Sequence, residues 1–438
     1  MKKLAFIIFI ILLIPISIYA DVKEYNLDNG LKVLVVEDHK APLATFQIWY
    51  RVGSRNEPSG KSGLSHLLEH MMFKGTPKYG SKGFSKIVQK NGGVDNAFTT
   101  TDYTMYYQTL ASDRIGLPIE LEADRMQNLT MDPKEVLAER SVVMEERRMR
   151  YDDDPQNSLY EEVMAAAFES HPYHWPVIGW MSDISSIERN DLYNYYRAYY
   201  SPDNAVIVVS GDIKAEDIIK KIKASFGNMP AVPDRRPVTS KENEQRGERR
   251  ITLKKEAELP YIIAAYHAPG FPAEDSYTLE VLGMVLSGGK SSRLYKSIVY
   301  EKKLALDASA DYSGLHKDPY LFLFSATASP GKDIKDVENS LYEEIEKIKK
   351  EPPSEREVQK AKNQIEASFI MGQDSIYFQA QITGMFEMIG GWKLKEQYLE
   401  GIRKVKPEDV SRVAKKYLNE DNRIVGILIP TKTVRSEK

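Results

Sequence analysis

His66-Leu67-Leu68-Glu69-His70 sets two imidazoles and a carboxylate within a turn and a half of helix. Residues four apart on an α-helix share a face, so His66 and His70 can reach one cation, and Glu69 stands beside them as a base. The chain holds only seven histidines in 438 residues. Two unrelated surface histidines are the plain alternative. A zinc ion held by three protein groups keeps one position for water and lowers its pKa to about 7. Two histidines therefore need a third ligand from another element.

The stretch after Asp132-Pro133 offers one. Asp132 suits an N-cap and Pro133 the first helical position, which predicts a helix over 133–150 with Leu137, Val142, Val143 and Met144 as apolar surface. Glu139 and Glu146 are seven apart, close to two turns, so they share a face, whereas Glu145 is turned by about 100° from Glu146. Glu146 is assigned as the metal ligand and Glu139 as an outer carboxylate that orients a histidine. A solvated acidic face is the other reading of these glutamates.

These residues resemble the pitrilysin and insulinase type of inverted zinc metallopeptidase, which includes the mitochondrial processing peptidases and carries H-x-x-E-H. The likeness runs through GLSHLLEHMMFKGT (63–76), NGGVDNAFTTTDYT (91–104), ELEADRMQN (120–128), ERSVVMEE (139–146) and HPYHWPVIGW (171–180). It implies one zinc ion per chain on His66, His70 and Glu146. It also implies Glu69 as the general base that activates a zinc-bound water, and Glu139 as a supporting catalytic carboxylate. Asn96, Ala97 and Phe98 resemble the family's substrate-binding edge strand, which adds an extended peptide to the sheet. An ordinary hairpin is what these residues would suggest by themselves.

The ends and composition point to an exported protein. Lys2 and Lys3 precede an apolar run from Leu4 to Ile14, and Ala20 ends a segment that reads as a signal peptide over 1–20. A periplasmic or secreted location follows, with an uncleaved amino-terminal anchor as the alternative and no stable membrane span after cleavage. With no cysteine, disulfides and lipid-modified cysteines are excluded, and a net charge of −3 without a basic stripe argues against nucleic acid.

The chain also repeats itself. Ile187-Glu188-Arg189, Asp191, Tyr199, Asp203-Asn204 and the strand from Val206 meet, at a shift of 218, Val405, Asp409, Tyr417, Asp421-Asn422 and Ile424. The expected class is α+β, as two homologous domains, each a mainly antiparallel or mixed sheet packed with helices. The expected layout is a zinc-binding peptidase domain over 21–235, a Pro-rich and polar linker over 236–250, and a homologous domain without zinc over 251–438. Strands are predicted at 31–36, 45–52 and 261–266, and helices at 62–74 and 114–128. Met371, Met385 and Met388 are expected to fill core.

One departure from the resembling family lies in the second half. Many members carry R-x-K-x-x-L-[AG]-Y, whose arginine and tyrosine help hold substrate, but here Tyr300 and Leu306 stand at those places and the segment is one residue short. Arg293, Tyr295 or Tyr312 could substitute. The favoured explanation is a homologous partner subunit that supplies the pair, as in bacterial heterodimers in which one chain bears the zinc. His39, His171, His174, His267 and His316 are read as surface or hydrogen-bonded structural residues. The function expected is a zinc endopeptidase acting on peptides or unfolded segments. The alternative is a non-catalytic peptide-binding or scaffold protein on the same fold.

Overall fold

The run Ala205–Gly211 is buried at every residue, as a strand is when both faces of its sheet are covered. It is the sixth strand of a computed structural model that describes residues 21–431. The expected signal peptide lies outside the described residues.

The first half runs β1 (Val22–Asn26), β2 (Lys32–Glu37), β3 (Leu43–Tyr50), α1 (Leu64–Met71), α2 (Gly83–Lys90), β4 (Val94–Thr99) and β5 (Thr104–Ala111). It continues through α3 (Gly116–Asn128), α4 (Pro133–Arg147), α5 (Pro155–Ala167), α6 (Met181–Ser186), α7 (Arg189–Tyr199), β6 (Ala205–Gly211) and α8 (Ala215–Phe226). Its sheet has the order β1-β2-β6-β3-β5-β4, with β2 and β6 parallel and β4 at the edge.

The second half gives β7 (Arg249–Glu256), β8 (Tyr261–Ala268), α9 (Glu274–Ser287), β9 (Ala305–Tyr312) and β10 (Tyr320–Ala328). Then come α10 (Ile334–Lys350), α11 (Glu355–Gly372), α12 (Ile376–Ile389), α13 (Leu394–Lys404), α14 (Pro407–Tyr417) and β11 (Arg423–Thr431). Its sheet has the order β7-β11-β8-β10-β9, again with one parallel pair, β7 and β11. The two sheets therefore repeat one topology, the first adding β1 as an extra strand. The fold is α+β with two homologous halves. Residues 227–248 between them contain no helix or strand.

The halves interlock through one helix each. On one face of the first sheet, Phe46, Ile48 and Tyr50 join the core formed with its own helices. On the other face, Trp49, Leu34 and Val206 meet Ala380 and Met388 of α12, which belongs to the second half. Reciprocally, Ile263, Ala265 and Ile424 meet Leu159 and Val163 of α5 from the first half. Glycine permits both contacts: a Cβ on Gly384 would lie 2.3 Å from the Trp49 ring, and one on Gly426 would lie 2.4 Å from Val163. Buried Glu387 adds ion pairs across the seam to Lys32 at 2.8 Å and Arg51 at 2.9 Å.

Three sequence expectations are corrected. Leu137 and Val142 are exposed on α4, and its inward face carries Val136, Glu139 and Val143 instead, a spacing of three and four that matches the helical repeat. Met371 is 72% exposed in the last turn of α11, where Phe369 rather than Met371 turns to the core and packs on Tyr398; Met388 is buried.

Candidate metal centre

Gly63, with a φ of 92°, is the N-cap of helix α1 and has no side chain to offer its first amides, and the helix carries His66, Glu69 and His70 toward the edge strand β4. Helix α4 begins at Asp132, whose carboxylate accepts the Lys134 N–H at 2.8 Å, and Pro133 occupies its first turn as expected. The two helices pack together, which brings Glu146 to the histidine pair.

Ligand atoms of His66, His70 and Glu146 all lie within 4.8 Å of one another. Glu146 Oε2 is 3.4 Å from His70 Nε2 and 3.8 Å from His66 Nε2. These gaps are long for hydrogen bonds but close to the roughly 3.3 Å between donor atoms around a tetrahedral cation with bonds near 2.0–2.1 Å. The donor set of two imidazoles and one carboxylate therefore fits such an ion. Among the described residues this is the one such cluster of three.

The outer contacts differ between the two histidines. Glu139 accepts from His70 Nδ1 at 3.1 Å and is itself paired with Lys74, which fixes the ring with Nε2 turned toward Glu146. His66 Nδ1 is buried with no hydrogen-bond partner, so packing alone orients that ring. Burial, followed by the neighbouring His70, pulls His66 down to about 4, which keeps it neutral. Against its own burial, His70 is held up to about 9 by Glu139 and Glu146.

Thr99, the last residue of β4, donates to Glu69 Oε2 at 2.5 Å. Burial pushes the Glu69 carboxyl up against that hydrogen bond. Glu69 and the three clustered side chains open on a cavity of about 580 Å3, whose walls include Asn96, Ala97 and Phe98. Ala97 packs toward the core under α1 and Phe98 toward the opposite face, as alternation along a strand dictates. The outer edge of β4 pairs with no strand of its sheet.

Residues 32–179 match the Insulinase (Peptidase family M16) family, and 186–365 match the Peptidase M16 inactive domain. The Helicobacter pylori zinc protease PqqE is 33% identical, over 93% of each chain. The crystal structure of a protease from Helicobacter pylori superposes with a TM-score of 0.91 and 32% identity, over 94% of this chain and 100% of that one. An uncharacterized zinc protease of Bacillus subtilis, YmxG, is 27% identical over 91% of this chain and 96% of its own.

The chain belongs to the M16 peptidase family.

Several residues of this M16 site were not singled out by sequence. Arg150 lines the cavity and holds Glu146 Oε1 at 2.9 Å; standing four residues beyond Glu146, it was legible from helical spacing. Thr99 was legible from its alternation with Ala97. Asn157, Val177 and Ile178 also line the cavity but arrive from other elements, with no local signal. In the second half, Tyr300 is 70% exposed and Leu306 53% exposed. Arg293 is held by Glu357 at 2.7 Å and 3.0 Å, and Tyr312 donates its hydroxyl to Pro269 O at 2.5 Å. His171 bonds Asp318, and His316 bonds Thr101.

Proposed function

We propose that this chain is an exported zinc endopeptidase that cleaves extended peptides or unfolded segments, with zinc on His66, His70 and Glu146. The observation that carries the reading is the convergence of those three side chains beside Glu69 and an unpaired strand edge. Zinc bound there would supply Lewis acidity toward water and a peptide carbonyl.

The protein groups divide the remaining work. The free edge of β4 takes the peptide backbone as an added strand, so recognition rests mainly on main-chain hydrogen bonds. Asn96 and Phe98 meet side chains on one face of that peptide, and Ala97 lies on the other. Glu69 accepts a proton from the attacking water and returns it to the departing amine nitrogen. Thr99 occupies Oε2 of that carboxylate, which leaves Oε1 for the proton. Glu139 keeps the His70 ring in its ligating tautomer.

A homologous partner subunit supplies the arginine and tyrosine that this second half lacks. The reading is supported by the exposure of Tyr300 and Leu306 and by the internal engagement of Arg293 and Tyr312. No helix among the described residues is long and apolar enough to cross a membrane, and export rests on the sequence of residues 1–20. The test is hydrolysis of a mixed fluorogenic peptide set by residues 21–438, with bound zinc quantified. Zinc bound with little turnover is expected for the isolated chain. Chelator-sensitive turnover by a purified monomer overturns the partner requirement, and absence of zinc overturns the peptidase reading.

A further inference from the structure

Gly53–Glu57 lies between the two parts of the candidate site, and its contacts run to both. Ser54 N–H donates to Thr100 O at 3.1 Å and Arg55 N–H to Thr101 O at 3.0 Å, so the segment follows the turn that ends β4. A Cβ on Gly53 would lie 2.4 Å from Thr100 O, so only glycine allows this approach. Glu57, 5% exposed, faces the other way. Its Oε2 accepts the Gly63 N–H at 2.7 Å and its Oε1 the Ser65 N–H at 2.6 Å. Those amides open α1, whose own cap residue has no side chain to offer them.

Arg55, 7% exposed, supplies a third direction. Its Nη1 pairs with Asp102 at 3.1 Å, in the turn after β4, and with Asp318 at 2.7 Å, just before β10 of the second half. Around them, Tyr173 donates its hydroxyl to Asp102 at 2.7 Å, the Lys317 N–H reaches Asp102 at 3.2 Å, and His171 Nε2 meets Asp318 at 3.0 Å. No residue of this segment lines the cavity, so whatever it does for the site is done through α1 and β4.

We propose that Gly53–Glu57 is a bracket that fixes the ligand-bearing helix α1 to the peptide-pairing strand β4 and ties both to the second half, with Glu57 and Arg55 as its positioning residues. The inference rests on the peptidase reading for the roles of α1 and β4. The geometry makes the demand plain: a base on one element must meet a carbonyl held by another, and a misplacement of about 1 Å costs on the order of a hundredfold in rate. Thr99 donates to Glu69 toward the C-terminal end of α1, and the bracket adds a second, buried tie that runs from the residues directly after Thr99 to the amides opening the same helix.

The test uses residues 21–438 as wild type, Glu57→Gln and Asp318→Asn, read by zinc competition with a chromophoric chelator and by amide hydrogen exchange. Glutamine keeps the size but turns an NH2 toward one of the two helix amides, leaving that donor unpaired. Glu57→Gln is expected to weaken zinc binding about tenfold, with faster exchange confined to α1. Asp318→Asn, at a partly exposed position that spares the fold, is expected to speed exchange over 94–103 while zinc affinity stays unchanged. Unchanged zinc affinity in Glu57→Gln, or exchange quickened evenly over both sheets, overturns the proposal. So does unchanged exchange over 94–103 in Asp318→Asn. If the wild type binds zinc but cleaves nothing even with a partner subunit, the peptidase reading fails while these shifts still decide the bracket.

Discussion

Helices α1 and α9 occupy equivalent places in the two halves, α1 following β3 beside β6 and α9 following β8 beside β11, each packing beneath its edge strand, yet they share no chemistry. Helix α1 presents His66, Glu69 and His70; helix α9 holds no histidine, and its half-buried Glu280 is bonded to Tyr398. The same topology thus carries a candidate metal cluster once and a plain core once, so the fold does not by itself dictate the site. What the second half contributes is placement. It covers the back of the first sheet with α12, anchors α5 on its own sheet, and meets Arg55 with Asp318.

The sharpest way to break this contrast is to remove the base. Glu69→Gln should abolish hydrolysis by about a thousandfold, measured with whatever partner activates the chain, while zinc content stays unchanged. Glu280→Gln on the equivalent helix should leave both activity and zinc content intact. Loss of zinc in Glu280→Gln would mean that the halves share more than packing.

The interlock is tested by Gly384→Val, which places a branched side chain against the Trp49 ring and should destabilise the protein by about 3 kcal/mol in urea unfolding. Because α12 covers the first sheet, the loss should appear as one transition reported by both halves. Two separate transitions would show that the halves fold independently.

The seam should also be acid-sensitive. Burial works against ionisation of Asp102, but His316, Tyr173 and Arg55 hold its carboxyl down at about 2, below its ordinary 3.8. A depressed folded-state value stabilises the fold at pH above about 4, and that stabilisation is lost as pH falls toward 2. The stake is on the order of 2 kcal/mol. Unfolding of wild type and Asp102→Asn should therefore converge between pH 5 and pH 2, checked by urea midpoints at each pH. A gap that stays constant would remove Asp102 from the acid response. The smallest effect expected is for Glu139→Gln, which should weaken zinc binding about tenfold by releasing the His70 ring, read by chelator competition.

How far the sequence reached depended on whether a feature was local. The Asp132-Pro133 cap and the two-turn spacing of Glu139 and Glu146 are short-range patterns, and α4 begins where that cap says; the repeat, read by comparing the chain with itself, aligns two helices, Arg189–Tyr199 and Pro407–Tyr417. The inward face of α4 was misjudged at Leu137 and Val142 because helical spacing does not say which apolar stripe meets a neighbour. Thr99 and Arg150 stood within reach of simple periodicity. Asn157, Val177, Ile178 and Asp318 did not, since nothing near them in the chain marks what they approach.

The sequence by itself determined the candidate ligands, the candidate base and the doubled α+β architecture, because spacing along a helix and repetition along a chain are set by covalent order. Tertiary structure alone decided that α5 and α12 change sides, that Arg55 bridges the halves, and that one edge strand stands open beside the candidate metal cluster. Those outcomes depend on which surfaces bury each other best across more than two hundred residues of chain, a competition that no local pattern records.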